Sequence, residues 1–206
     1  PTLFPYTTLF RSASGALTGK PTFADLQNGG PARWPQVVET QGVIGKGDGA
    51  YVVDQITPPI DNPWKRRLRI GYVSSDLRHH AVGYLMVNFF EEHDRKDFEV
   101  FAYYTGIKAD DPIQARIKAN VDHWRDIRGV SDDDAAAQIA QDGIDILVDV
   151  NGHTRDARIG VFARRPAPIQ VNWLGYPGTI GSSFHHYIVA DDVQCVDVTP
   201  YYGLLS

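Results

Sequence analysis

At 206 residues, with 43% hydrophobic and 22% charged side chains, the chain has length for one large domain or two small ones and is too apolar to be disordered. Twenty basic residues against 25 acidic ones give a formal charge of −5 and a pI near 5.8, so there is no basic field for a phosphate backbone and no nucleic-acid partner is expected. The single cysteine, Cys195, excludes an internal disulfide framework, and no apolar run approaches the roughly 18 residues of a membrane span; a cytoplasmic setting without membrane contact is expected.

The opening TLFPYTTLFRS, residues 2–12, has no basic start, and Pro5 and Arg11 break its apolar run, so it is not a secretory signal. It resembles the translation of a sequencing-adapter oligonucleotide, and residues 1–12 are set aside as carrying no function. Residues 13–64 are glycine- and proline-spaced, with Asn28–Gly29–Gly30–Pro31 and the pair Pro58–Pro59. Short β pieces fit them: Val37–Val38 and Ala50–Tyr51–Val52–Val53 are expected to pair across a Gly47–Asp48–Gly49 turn. The stretch GVIGKG is not a phosphate loop, because that motif needs four residues between its glycines and a Ser or Thr after the lysine, and Gly47 follows Lys46. Residues 13–64 therefore read as a linker or a foreign β-rich piece, and residues 1–64 are expected to pack poorly on residues 65–206.

From residue 65 onward apolar runs alternate with helix-like stretches, the pattern of repeated βα units and of a Rossmann-like, doubly wound parallel α/β sheet. Leu68, Ile70, Tyr72 and Val73 form a first strand buried on both faces, ending in Ser74–Ser75–Asp76. Tyr84–Glu92 is a helix, Phe98–Tyr104 a second strand, Pro112–Ala119 a helix opened by a proline at its first position, and Trp124–Ile127 a short third strand. Ser131 starts a helix whose Asp132, Asp133 and Asp134 sit at the positive end of its dipole; three acids in a row suggest metal, but charging a helix start explains them better. Ile144–Val150 is the fourth strand, Ala157–Arg164 a short helix, Pro168–Trp173 the fifth strand and His186–Ala190 the sixth.

Three strand ends thus deliver SSDLRHH, NGHT and LGYPGT toward one rim. Ligands of open α/β sheets collect outside the strand carboxyl ends, at the point where the strand order reverses. With the order 3-2-1-4-5, that point lies beside Asp76. Asp76 and His80 are the first candidates for chemistry, since a carboxylate four residues from an imidazole can fix its tautomer. Glycines in LGYPGT let backbone N–H groups approach an oxygen-rich ligand. The adjacent pairs His79–His80 and His185–His186 make no metal set, and no G-x-G-x-x-G follows the first strand, which removes the argument for a nicotinamide cofactor and leaves a sugar nucleotide open.

Three stretches are long and specific: LRIGYVSSD followed by His80, QDGIDILVDVNGHT, and ARRPAPIQVNWLGYPGT. From about Leu68 to Tyr202 they resemble the bacterial O-linked N-acetylglucosamine transferases of the SPINDLY type, protein O-glycosyltransferases of family 41. The resemblance implies a GT-B catalytic region, two Rossmann-like lobes facing across a cleft and commonly preceded by tetratricopeptide repeats. Residues 65–206 are then its N-terminal lobe, without the C-terminal catalytic lobe and the repeats. It implies inverting transfer of N-acetylglucosamine from UDP-N-acetylglucosamine to Ser or Thr of protein acceptors, with the sugar nucleotide as co-substrate, no cofactor and no metal. By motif match, Asp76 and His80 stand beside the reacting sugar as catalytic residues, and Leu174, Gly175 and Pro177 belong to a loop contacting it. Animal members carry Pro and Thr directly after the histidine, whereas Ala81–Val82–Gly83–Tyr84 is closer to plant SPINDLY, whose donor is GDP-fucose. Protein O-fucosyl transfer is therefore the alternative donor reading, and a non-catalytic Rossmann-like binding module the alternative class. A further histidine that the family carries upstream of the first strand has no counterpart in residues 13–64. The lobe alone is expected to be inactive.

Overall fold

The computed structural model describes residues 8–11, 41–44, 51–56, 58, 66–178 and 180–190. In chain order the elements are β1 (Thr8–Arg11), β2 (Gln41–Ile44), β3 (Tyr51–Asp54), β4 (Leu68–Ser74), α1 (Ala81–Glu91), β5 (Phe98–Tyr104), α2 (Pro112–Ala119), β6 (His123–Asp126), α3 (Asp132–Gln141), β7 (Ile146–Asp149), α4 (Ile159–Ala163), β8 (Ile169–Trp173) and β9 (Tyr187–Ala190). Strands β4 to β9 form a parallel sheet in the order β9-β8-β7-β4-β5-β6, which is the doubly wound 3-2-1-4-5-6 arrangement with its reversal between β4 and β7. Ile70 aligns with Ile146 and Val73 with Asp149, in parallel, as the buried apolar runs require.

Alternation along the strands feeds two cores. Tyr72, Val100, Ala102, Tyr104 and Val148 face α1 and α2, meeting Met86, Phe90 and Ile117. Val73, Phe101, Tyr103 and Leu147 face the other way, onto Ala135, Ala136 and Ile139 of α3 and Val161 and Phe162 of α4. In α1 the buried Val82, Gly83, Met86, Val87 and Phe90 recur at three- and four-residue spacing, the stripe a helix needs to cover a sheet. Each large side chain so buried contributes about 1.5–3 kcal/mol.

The helix starts follow the residues present. Asp111 accepts the Gln114 N–H with Pro112 in the first helical position, and Ser131 accepts the Asp134 N–H. Burial raises the Asp111 carboxyl, but N–H donors from Gln114, His79 and Ile113 outweigh it and hold the group below its ordinary value. Gly143 ends α3 at φ +66°. The acids at the start of α3 are engaged by arginines rather than converging on a common centre: Asp132 by Arg158 at 2.6 Å and Asp133 by Arg164 at 2.6 Å.

Two expectations need correction. The hairpin partner of Tyr51–Asp54 is Gln41–Ile44, with Ile44 opposite Tyr51, and not Val37–Val38, which lies outside the described residues. The nearer run closes the shorter loop, and short hairpin connections lose less chain entropy. The poor packing expected of residues 1–64 also fails at two places. Strand β1, inside the stretch set aside as adapter-like, pairs antiparallel with the edge strand β9, Thr8 opposite Ala190. A bare edge binds extended chain through its main-chain groups, with little regard to sequence. At the second place Gln55 and Ile56 donate to the carbonyls of Ala163 and Arg164 at the end of α4.

At the amino ends of β4 and β5, Glu99 accepts from Arg69 at 3.0 Å and contacts His123 at 2.8 Å, with Arg67 at 3.8 Å. Burial raises the Glu99 carboxyl, but the His123 and Arg69 hydrogen bonds and the two arginine charges prevail, and the group is held below its ordinary value. A carboxyl depressed on folding adds stability that is present above its unfolded value and is lost as the pH falls through the folded one. Glu99→Gln should accordingly flatten the acid limb of a urea-midpoint profile between about pH 5 and 2. An unchanged limb would remove Glu99 from the acid response.

Candidate active site

The loop after β4 enters α1 through His80, whose extended backbone places it at the N-cap. Its Nδ1 accepts the N–H of Val82 at 3.3 Å, so in this geometry the ring carries its proton on Nε2. The Asp76 Oδ1 atom lies 3.7 Å from the same Nδ1, beyond hydrogen-bond reach. The two residues come together as expected, but the tautomer is set by the Val82 amide and not by the carboxylate. That leaves the Nε2–H as the donor the ring can offer a ligand.

Asp76, 9% exposed, is held from three sides. Its N–H donates to Ser74 Oγ at 3.1 Å, Arg78 Nη2 donates to its Oδ1 at 3.3 Å, and Asn151 Nδ2 donates to its Oδ2 at 3.3 Å. Asn151 opens the loop after β7 and is 2% exposed. Besides Asp76, its Nδ2 faces Ser75 Oγ at 2.8 Å and Thr154 Oγ1 at 2.9 Å, while its Oδ1 accepts the Ser75 N–H at 2.7 Å. One amide thus knits the loops after β4 and β7 across the reversal point of the sheet.

The loop after β8 joins through close contact. A Cβ on Gly175 would lie 1.7 Å from the Val150 carbonyl oxygen, so only glycine lets the backbones touch there. The preceding Leu174 adopts φ +71°, a left-handed conformation that costs a branched residue about 1–2 kcal/mol, and packs on the apolar cluster with Trp173. Tyr176 meets the His153 ring edge-on at 5.3 Å and covers Gly152, while Pro177 is exposed at the loop tip. Gly83 makes the matching approach on the other flank: its Cβ would stand 1.9 Å from the Arg78 carbonyl, which seats the first turn of α1 on the Asp76 loop.

Asn151 was visible in the sequence as part of NGHT but not as the group that aims Asp76; its position at a strand carboxyl end beside the reversal point was the available signal. Asp149 and His185 carried no such signal. Among the described residues no group of three metal-ligating side chains converges, and no helix is long and apolar enough to cross a membrane.

The family description "Glycosyl transferase family 41" matches residues 55–202. The chain belongs to glycosyl transferase family 41. It is 42% identical over 141 residues to the SEC protein of Arabidopsis thaliana, covering 66% of this chain. It is 45% identical over 129 residues to the UDP-N-acetylglucosamine–peptide N-acetylglucosaminyltransferase of Caenorhabditis elegans, covering 62% of this chain. A SPINDLY protein of Oryza sativa subsp. japonica matches at 38% over 138 residues, 65% of this chain. The chain spans 14%, 11% and 15% of those three proteins. Among solved structures, a mutant of the Thermobaculum terrenum O-GlcNAc transferase superposes with a TM-score of 0.58 at 44% identity, over 62% of this chain and 24% of that one. In this family 41 chain, the matched region contains all three strand-end loops.

Proposed function

We propose that residues 65–206 are the N-terminal lobe of a protein O-N-acetylglucosaminyltransferase, working with a second lobe on UDP-N-acetylglucosamine and Ser or Thr of protein acceptors. The observation that carries the proposal is the Asn151 clasp, which ties Asp76 and Ser75 to the loop after β7 beside the reversal point of a family 41 sheet. The names of the SEC protein of Arabidopsis thaliana and of the Caenorhabditis elegans relative carry that donor. Catalysis asks for a base that takes the proton of the acceptor hydroxyl as its oxygen attacks the anomeric carbon, and for donors that meet the charge developing on the departing diphosphate. In the proposed arrangement His80, its ring held by the Val82 N–H, donates from Nε2 to a sugar or phosphate oxygen, and Asp76, 3.7 Å from Nδ1 with its oxygens engaged by Arg78 and Asn151, supports that ring electrostatically. Leu174, Gly175 and Pro177 offer main chain to the sugar. The chemistry is read as needing no metal or cofactor, and the lobe alone leaves the leaving group without its second set of donors.

The test uses the chain alone and the enzyme restored to both lobes, each with UDP-N-acetylglucosamine and with GDP-fucose on a Ser/Thr peptide. The chain alone should show no turnover. In the two-lobed enzyme UDP-N-acetylglucosamine should be used, and His80→Asn should cut kcat by roughly 100-fold or more while nucleotide affinity changes little. Asparagine is chosen because it is a good N-cap, so the start of α1 survives. Preference for GDP-fucose would replace the donor assignment, and full activity of the His80→Asn enzyme would remove the histidine from the chemistry.

A further inference from the structure

His185 is 1% exposed, enclosed by the rings of Phe162 at 5.0 Å and Phe184 at 5.3 Å. Both its nitrogens are occupied: Nδ1 faces Ser182 Oγ at 2.7 Å, and Nε2 faces Asp149 Oδ2 at 3.1 Å. The order Ser-His-Asp suggests a hydrolytic relay, but the ring is closed to solvent and the Ser182 hydroxyl also accepts the His185 N–H at 3.4 Å. The other oxygen of Asp149 leads elsewhere. Oδ1 accepts the N–H groups of Asn151 at 2.9 Å and Gly152 at 2.8 Å, the turn from which the Asn151 side chain reaches Asp76. A second tie parallels the first, since His153 Nε2 lies 2.9 Å from the Ile180 carbonyl oxygen.

We propose that Asp149 and His185 are positioning residues for Asp76, acting through the Asn151 turn. A buried carboxylate needs a donor at each oxygen. While His185 supplies Oδ2, Oδ1 is left to the two turn amides, and the turn holds one conformation. Without the imidazole, Asp149 must rotate to share those amides or draw in other donors, and either response re-aims the Asn151 amide. A carboxylate misplaced by about 0.5 Å no longer presents the geometry a reaction site needs. The segment after β8 therefore sets the loop after β4 by way of the loop after β7. The functional meaning rests on the transferase reading of Asp76, whereas the network itself does not.

The experiment is hydrogen exchange and imidazole 15N NMR on the 206-residue chain without ligand. In His185→Leu the amides of Ser75, Asn151 and Gly152 should exchange roughly tenfold faster or more than in Val161→Ala, a core control outside the network, with the two compared at matched global stability. His185→Gln, whose amide can donate to Asp149 in place of Nε2, should recover most of that protection. In the unaltered chain the His185 proton should sit on Nε2. In Asp149→Asn, which keeps the acceptor for the turn but puts an N–H against the ring, it should move to Nδ1; this readout stands even if the leucine variant does not fold. Equal exchange in the leucine and control variants, failure of the glutamine variant to recover, or an unmoved proton in Asp149→Asn would each overturn the proposal. A negative transfer assay would leave these signals intact, so the two readings fail separately.

Discussion

Gly175→Ala should be the most damaging single-methyl change in the lobe. The added carbon would start 1.7 Å from the Val150 carbonyl oxygen and 2.7 Å from its carbon, both main-chain atoms of the strand end that leads into Asn151. No side chain is there to swing away, so the loop must lift by more than about 1 Å, and overpacking of this kind costs on the order of 1–3 kcal/mol. A displacement of about 1 Å at a site of group transfer can lower turnover roughly 100-fold. The informative comparison is Gly181→Ala, where φ is +64° but nothing stands within 4 Å of the new carbon. Only the left-handed strain of about 1–2 kcal/mol applies there. Urea unfolding of both variants, with transfer rates in the two-lobed enzyme, separates strain from collision. Equal activities in the two variants would show that the Val150 contact does not position the loop after β8 for transfer.

Asn151→Ala should have the other large effect, because one truncation strands several buried groups. The Ser75 N–H loses its acceptor, and Asp76 Oδ2 loses its Asn151 donor in the interior. Leaving a buried polar group unsatisfied costs about 1–3 kcal/mol, more when it is charged, so a loss of at least about 3 kcal/mol is expected. Asn151→Asp isolates the charge effect. It keeps an acceptor for Ser75 but places a second carboxylate oxygen where the amide nitrogen stands, 3.3 Å from Asp76 Oδ2. Two like charges at that distance cannot comfortably both ionise. Folding then favours protonation of one of them, so this variant's stability deficit should be largest near neutral pH and shrink as the pH falls. Denaturant midpoints across pH check the sign, and a deficit that grows in acid would contradict it.

Much of this architecture was legible in residues 66–190. Doubly buried apolar runs force parallel strands, parallel strands require crossovers of one hand, and the crossovers lead to the observed order with its reversal beside Asp76. The start of α2 at Pro112 and the acidic start of α3 were local signals with local physics, and they needed no distant partner. The proximity of Asp76 to His80 was legible for the same reason, being a four-residue spacing at a strand end.

What tertiary structure alone decided are contacts between residues far apart in the chain, for which spacing carries no information. Asn151 reaches Asp76 across 75 residues, and His185 meets Asp149 across 36. A histidine in HHY and an aspartate inside an apolar strand look unrelated until packing removes water and obliges the buried carboxylate to find a donor. The direction of the His80 ring was likewise hidden, because it depends on the Val82 N–H left unpaired by the start of a helix, which competes with the carboxylate for the same nitrogen. The pairing of Thr8–Arg11 with β9 belongs here too: an open sheet edge recruits extended backbone, and backbone hydrogen bonding leaves almost no trace in side-chain sequence.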